Sequence, residues 1–343
     1  MEHYAGIDVS LEQSSVCIVD GTGKIVAEAK VTSEPEALIG WLRAQPFTLS
    51  RIGLEAGPLS QWLFARLEVD GLPAELLETR HVRTAFKTMP VKTDKKDARG
   101  IAQLMRLGWF KPVHCKSLAA QETRALLTAR KLLQTKRHDV EMSVRGVLRG
   151  FGLKVGPTTP RTFEARVREL VDGHPTLVMV ADALLAARAE LQRQFTDLEK
   201  RIVAIGRADE RVRRLMTVPG VGNLVALTFT TAIDDPARFR SSRQVGAYFG
   251  LTPSRYQSGE TDVAGRISKI GDHGVRTALY EAANVMLTRP VKGSSLKDWA
   301  LAVAGRAGPR KAKVALARKL AVILHRMLVD GTTFVPRPTT TAA

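Results

Sequence analysis

The sequence predicts an α/β domain at the N-terminus followed by a mainly helical remainder, an α/β plus α chain. Three observations predict it. Short apolar runs alternate with amphipathic ones over the first 77 residues; from residue 122 apolar side chains recur at spacings of three and four; and from Val212 glycine-rich turns interrupt that pattern. Residues 3–9 are short and apolar, as a buried strand is. Residues 14–20 alternate, and Gly21-Thr22-Gly23 turns the chain into a third strand near 24–31. Residues 34–44 have helical spacing, with Leu38, Trp41 and Leu42 on one face. Residues 51–54 read as a strand, 59–69 as a helix aligning Trp62, Leu63 and Leu67, and 73–77 as a strand again. A short helix at 81–88 and a clearer one at 94–107 follow. Three strands, helix, strand, helix, strand, then helices is the element order of an RNase H-like fold.

Residues 122–151 and 176–204 predict two long helices. In the second, Leu184, Leu191, Phe195, Leu198, Ile202 and Ile205 form a stripe flanked by charge. A packed hairpin within the chain and a coiled coil between chains both fit such a stripe. Pro157 and Pro160 make 154–161 the turn or linker between them. Val218-Pro219-Gly220-Val221-Gly222, set between helical patterns, has the signature of a helix-hairpin-helix turn, in which Gly220 and Gly222 let backbone N–H groups approach a phosphate; an ordinary helix–helix turn is the alternative. The remainder to about Val335 reads as helical with glycine-rich interruptions, and the tail from 336 as disordered.

The chain has 343 residues, 44% of them hydrophobic, enough for two or three folded units. Its formal net charge is +18, which favours a polyanionic partner. The excess is concentrated at the end: residues 264–343 hold 14 Lys/Arg against 4 Asp/Glu. Aromatic residues are 6% of the chain, so large platforms for stacked bases are not expected. Cys17 and Cys115 form no CxxC, and the seven histidines show no ligand spacing, which argues against a zinc knuckle or a disulfide framework. No run of 18 apolar residues and no charged-then-apolar leader is present, so a soluble cytoplasmic protein without a membrane segment is expected.

Four carboxylates stand out by position. Asp8 ends the first strand, Glu55 ends the fourth, and Asp94 and Asp97 open the helix at 94–107. Strands one and four are neighbours in an RNase H-like sheet, so Asp8 and Glu55 are expected side by side, with the helix laying Asp94 and Asp97 against the same point. Such a cluster repels itself without a cation, and Mg²⁺ or Mn²⁺ is its natural neutraliser. Asp94 and Asp97 could also serve only as helix-start charges. A carboxylate ending an apolar strand, as Asp8 does, is costly unless it binds something. The segment 249–271 is polar, glycine-rich and basic, and reads as a mobile loop between helices. Ser258, next to Gly259, is there a weak nucleophile that needs activation, with no histidine nearby in sequence.

Taken together, Gly6-Ile7-Asp8, Leu54-Glu55-Ala56, Lys92-Thr93-Asp94 with Asp97-Ala98, Val218-Pro219-Gly220-Val221-Gly222, Gly250-Leu251-Thr252-Pro253 with Tyr256 and Ser258-Gly259, and Ile267-Ser268-Lys269 with Gly271 resemble, in order and over nearly the whole chain, the insertion-sequence one-ten family. These are DEDD-type transposases related to the pilin gene invertase. One departure is Ala56-Gly57-Pro58, where the family often has Thr-Gly after the Glu. The resemblance implies a RuvC-like metal-binding domain at 1–112, a helical coiled-coil connector at 113–206, a transposase domain at 207–335 and a tail at 336–343. It implies metal on Asp8, Glu55, Asp94 and Asp97, and Ser258 as a nucleophile forming a covalent link to double-stranded donor and target DNA. It also implies a structured bridge RNA as guide and a homo-oligomer, dimer or tetramer, whose active site is composite. Lys92, Lys95, Lys96, Arg255, Arg266 and Lys269 are candidate phosphate contacts. The competing expectation is a RuvC-like metal nuclease in which water attacks and Ser258 is incidental.

Overall fold

A computed structural model of the chain describes residues 2–87, 91–290 and 294–336. The chain divides between Lys116 and Ser117 into two compact units.

The first unit holds β1 (His3–Asp8), β2 (Gln13–Asp20), β3 (Ile25–Thr32), α1 (Pro35–Arg43), β4 (Leu49–Glu55), α2 (Ser60–Val69), β5 (Ala74–Leu77), α3 (Thr79–Ala85) and α4 (Asp94–Leu107). Its sheet runs β3-β2-β1-β4-β5. Strands β1 to β3 form an antiparallel meander through short turns, whereas β1, β4 and β5 are parallel. Parallel neighbours need a crossover, and α1 and α2 supply the helices for it. The sheet is covered on both faces. Ala5, Ile7, Ile18, Ile52 and Leu54 pack with Leu38, Leu42, Leu63 and Leu67 of α1 and α2. Tyr4, Cys17, Val19 and Leu77 pack with Ala98, Ile101, Ala102 and Met105 of α4. A strand buried on both faces is a continuous apolar run, which is why β1 was readable as one.

Helix α4 lies unusually close to the sheet. Gly6 and Gly53 are register partners across β1 and β4. A Cβ on Gly6 would stand 2.2 Å from the Ala98 carbonyl oxygen and 2.3 Å from the Ala102 nitrogen; one on Gly53 would stand 2.8 Å from the Ile101 and Met105 side chains. The paired glycines form a floor on which α4 rests, its backbone on Gly6 and its Ile101 and Met105 side chains on Gly53. The helix starts where the Thr93 hydroxyl accepts from the Lys96 N–H and stops at Gly108 in the left-handed region.

The second unit contains α5 (Leu118–Arg149), α6 (Phe163–Val171), α7 (Pro175–Ala208), α8 (Glu210–Leu215), α9 (Asn223–Ile233), a 3-10 turn at Pro236–Arg238, α10 (Ser242–Tyr248), β6 (Pro253–Ser258), β7 (Thr261–Ile267), α11 (His273–Thr288), α12 (Ser295–Ala307) and α13 (Pro309–Asp330). The long helices α5 and α7 pack along each other within the chain, tied by Arg130–Glu199 and Arg188–Glu141 ion pairs. Of the two arrangements open to the leucine stripe, the chain contains the intramolecular hairpin. The sequence reading leaves 162–175 without an element; the structure places α6 there, with Phe163, Val167 and Val171 closing the end of the pair against Val144, Leu148 and Leu185. The main core of the unit gathers Phe229, Phe249, Leu279, Met286, Leu320 and Leu324 from α9 to α13.

A second difference is larger. The segment expected as a mobile loop is an antiparallel hairpin, β6 with β7, registered from Pro253↔Ile267 to Ser258↔Thr261. Nearly all of it is exposed on both faces, Tyr256 by 67% and its partner Val263 by 56%. With no buried face there is no alternation to read in the sequence. Among the described residues no helix is long and apolar enough to cross a membrane. The tail beyond residue 336, expected to be disordered, lies outside the described residues.

Candidate active site

Strands β1 and β4 end side by side. Ile7 pairs with Leu54 in parallel register, so the next residues, Asp8 and Glu55, close the two strands together. Helix α4 crosses the same strands over Gly6 and Gly53 and opens with Asp94 and Asp97. Asp8 feels the other three carboxylates. The half-buried Asp8 carboxyl is pushed up to about 6, first by burial and then by the charges of Asp97, Asp94 and Glu55, against the opposing pull of Lys92. Glu55 is also raised, by burial; the Lys92 ammonium and a Thr79 hydrogen bond pull it down, while Asp97 pushes it up. Asp97 is buried, and the Lys92 ammonium stands 3.6 Å from it.

A cavity of about 320 Å³ opens at this point, with Asp8 and Glu55 on its wall. On the same wall the Ser60 hydroxyl is buried without a hydrogen-bond partner among the described residues. The donor set is hard oxygen and the field is strongly negative, which fits a hard divalent ion rather than a soft one. Among the described residues no three His, Cys, Asp or Glu side chains converge into a finished metal cage. The carboxylates share a field without yet forming a coordination shell.

The second unit holds the remaining predicted residues. Ser258 is exposed at the corner of the β6–β7 hairpin, where Ser258↔Thr261 closes a two-residue turn and Gly259 takes φ +54°. Gly220, at φ +85°, packs against α11: a Cβ there would stand 2.5 Å from the Ala282 carbonyl oxygen. Gly222, the N-cap of α9, faces open space. The candidate phosphate contacts differ in freedom. Lys92 is drawn to Asp97, Lys95 lies 3.0 Å from Glu28, and Arg255 is held by Asp262. Lys96, Arg266 and Lys269 form no ion pair among the described residues. Helix α13 adds a cationic face absent from the sequence expectations, on which Lys311, Val314, Ala315, Arg318 and Val322 recur at spacings of three and four. That periodicity was available to be read. The pairing of Gly6 with Gly53 was not, because it exists only across strands.

The DEDD transposase domain of the IS110 type matches residues 5–152, and the transposase family IS116/IS110/IS902 matches residues 212–297. The transposase for insertion sequence element IS1111A of Coxiella burnetii is 29% identical over 337 residues, 96% of this chain and 90% of that protein. The putative transposase y4qE of Sinorhizobium fredii is 30% identical over 298 residues, 82% of this chain and 71% of that protein. The transposase for IS1328 of Yersinia enterocolitica is 28% identical over 270 residues, 77% of this chain and 79% of that protein. A DEDD transposase domain implies a divalent metal cofactor. With two domain matches in chain order and relatives aligned over most of their length, this chain belongs to the IS116/IS110/IS902 family of transposases, enzymes that cut and rejoin DNA.

Proposed function

We propose that the chain is a recombinase whose first unit is RNase H-like (RuvC-like) and holds Mg²⁺ or Mn²⁺ on Asp8, Glu55, Asp94 and Asp97, and whose Ser258 is the nucleophile toward DNA. The observation that carries the reading is Asp8. A strand-end carboxylate held near a pKa of 6 by burial and three neighbouring carboxylates is an expensive arrangement for folding, and cation binding is its natural use.

When bound, the ion supplies Lewis-acid stabilisation of the scissile phosphate and a lowered pKa for an attacking oxygen. The protein's own part divides between the units. Asp8 and Glu55 are fixed by strands and Asp97 by a helix packed on glycine, so the oxygen donors are held on rigid elements. Ser258 presents its hydroxyl from an exposed turn. Its oxygen attacks phosphorus, the bond from phosphorus to a deoxyribose oxygen breaks, and that oxygen takes up a proton as the serine loses one. The phosphoserine ester is resolved when the hydroxyl of another strand end attacks it and releases the serine. The number of phosphodiester bonds is conserved, so no nucleotide hydrolysis is required.

The wider assignment follows the same reading. Residues 113–206 act as connector and 207–335 as transposase domain, with the turn at 218–222 as a helix-hairpin-helix and Gly222 its open N–H position. The partners are double-stranded donor and target DNA and a structured guide RNA, and +18 of net charge supports two nucleic acids as readily as one. The active form is a dimer or tetramer. Exposed Leu132, Met142 and Met179 along α5 and α7 support self-association there.

The test is a covalent adduct. Protein incubated with element-end DNA and Mg²⁺, then denatured, should carry DNA through Ser258; Ser258→Ala and Asp8→Asn should carry none. Normal recombination by Ser258→Ala would overturn the serine assignment and leave water as the nucleophile.

A further inference from the structure

The second unit holds a cavity of about 1210 Å³ whose walls are the β7 strand with the turn after it and one face of α13. Six cations line it: Arg266 and Lys269 on the hairpin side, and Arg310, Lys311, Arg318 and Lys319 on α13. Among the described residues no carboxylate lines it, and none of the six makes an ion pair. Elsewhere in the second unit arginines are neutralised locally, as in Arg124–Asp272, Arg130–Glu199 and Arg255–Asp262. A single-sign patch of this density repels itself and is relieved by a polyanion.

The floor of the groove is different in kind. It is apolar, built from Val314, Ala315 and Val322 of α13 with Trp299 of α12, and the Lys319 ammonium stands 4.0 Å over the Trp299 ring. The hairpin wall is anchored at its base. The Ser268 N–H donates to the Thr252 carbonyl at 2.9 Å and the Lys269 N–H to Gly250 at 3.1 Å, and the Arg276 guanidinium donates to the carbonyls of Ile270 and Gly271. Lys269 is held at φ +55°, a left-handed conformation that a lysine adopts only under constraint from its surroundings.

From these features we infer that the groove between β7 and α13 binds an unpaired strand of DNA. Cations along a rim satisfy a phosphodiester backbone, and an apolar floor with an aromatic satisfies exposed bases. A duplex offers the rim its phosphates but keeps its bases from the floor. An acidic peptide or a lipid surface lacks the flat apolar groups at backbone spacing. DNA is preferred to RNA because β7 pairs with β6, the strand that ends in Ser258, so a strand in the groove lies against the base of the hairpin that carries the nucleophile; this rests on the assignment of Ser258 to DNA. The inference also accounts for a hairpin exposed on both faces, which on its own is marginal in water.

The test uses the full chain and fluorescence anisotropy with short oligonucleotides of one sequence as single-stranded DNA, duplex DNA and single-stranded RNA, over a range of salt. The combined variant Lys311→Gln, Arg318→Gln, Lys319→Gln should weaken single-stranded DNA binding about tenfold or more and reduce the slope of log K against log salt by about 2, at roughly 0.7 per lost contact. The charge-conserving Lys311→Arg, Arg318→Lys, Lys319→Arg should restore binding. Photocrosslinking of thiothymidine-substituted single strands to the wild-type protein should label peptides from 264–269 and 310–322, a readout independent of how any variant folds. An unchanged slope in the Gln variant, no crosslink to those two peptides, or a loss of duplex DNA or RNA binding in the Gln variant as large as its loss of single-stranded DNA binding would each overturn the inference. Ser258→Ala separates the two assignments. It should bind single-stranded DNA as wild type does while forming no adduct; adduct loss with an unchanged Gln variant would leave the serine assignment standing and remove the groove.

Discussion

The acidic end of the first unit and the hairpin of the second are built in opposite ways. Asp8 and Glu55 end strands buried on both faces, and Asp97 sits on a helix packed onto those strands over a glycine floor that allows no slack. Ser258 sits at the corner of two strands with almost no burial. The first arrangement stores unfavourable charge in a rigid frame, which only a well-packed domain can sustain. The second leaves the surroundings of Ser258, the proposed nucleophile, to be completed by whatever the hairpin binds. The contrast teaches where mutations register: in the acidic site a substitution should move stability as well as activity, whereas loss of the Ser258 hydroxyl should move activity alone.

The largest effect should come from removing a carboxylate. Asp8→Asn is expected to lower recombination by about 10³-fold or more, beyond the 10–100-fold that loss of an outer-shell partner of a metal gives. The same change should make the metal-free protein more stable, since it removes a charge the fold resists. A carboxyl moved from 3.8 to about 6 corresponds to about 3 kcal/mol at full value, reduced to about 1–2 kcal/mol for a group near solvent. Thermal melts in chelator with parallel activity assays check both signs; a destabilised Asp8→Asn protein would mean that Asp8 is structural.

Next is the floor. Gly6→Ala puts a methyl group 2.2 Å from the Ala98 carbonyl, and neither strand nor helix can yield without losing the other's packing. A loss of about 3 kcal/mol is expected, the upper range of overpacking, together with weaker Mg²⁺ binding by calorimetry because Asp97 moves with α4. Gly259→Ala is the matched change in the hairpin. Its φ of +54° predicts a cost of about 1 kcal/mol and no change in metal affinity. If the two substitutions cost the same, the contrast in rigidity is wrong.

Most of the acidic frame could be read in the sequence, and the reason is burial. Helix α4 begins after a Thr cap and ends before a glycine, so both its boundaries are written in local chemistry. Strand β1 shows as an unbroken apolar run because both its faces are covered. The adjacency of Asp8 and Glu55 needed only the strand order. What could not be read is equally physical. The β6–β7 pair buries nothing and therefore has no period. Helix α6 is nine residues long, between Pro160 and Gly173, too short for its Phe163, Val167, Val171 spacing to stand out. The distances among the carboxylates depend on how closely α4 approaches, and the pair Gly6 and Gly53 that sets this is far apart in sequence.

The two units should also answer pH in opposite senses. Asp8 is raised in the folded state, so between about pH 4 and 6 the folded protein holds a proton that the unfolded chain has lost; stability from this group falls as pH rises through that window and stays lower above it. His325 of the second unit is lowered, chiefly by burial, with its ring bonded to Ser242 and to the Pro236 carbonyl. The unfolded chain takes up a proton there first, so stability falls as pH drops below about 6.5. Melts of the metal-free protein from pH 4 to 8 should show the first trend vanish in Asp8→Asn and the second in His325→Gln. Mg²⁺ should cancel the first trend alone.

The smallest expected effect is the sharpest test of the contrast. Ser258→Ala removes one exposed hydroxyl from a turn whose geometry is set by Gly259, and no hydrogen bond from that hydroxyl supports the fold among the described residues. Its stability should stay within about 0.5 kcal/mol of wild type, as surface substitutions away from special features do. The covalent adduct should nevertheless disappear, because the serine hydroxyl is the proposed attacking group and Thr261, its register partner, sits across the turn on the return strand. A Ser258→Ala protein that is markedly less stable would place the serine in the architecture of the hairpin. One that is as stable as wild type and inactive places it in the chemistry, and does so without appeal to any other residue.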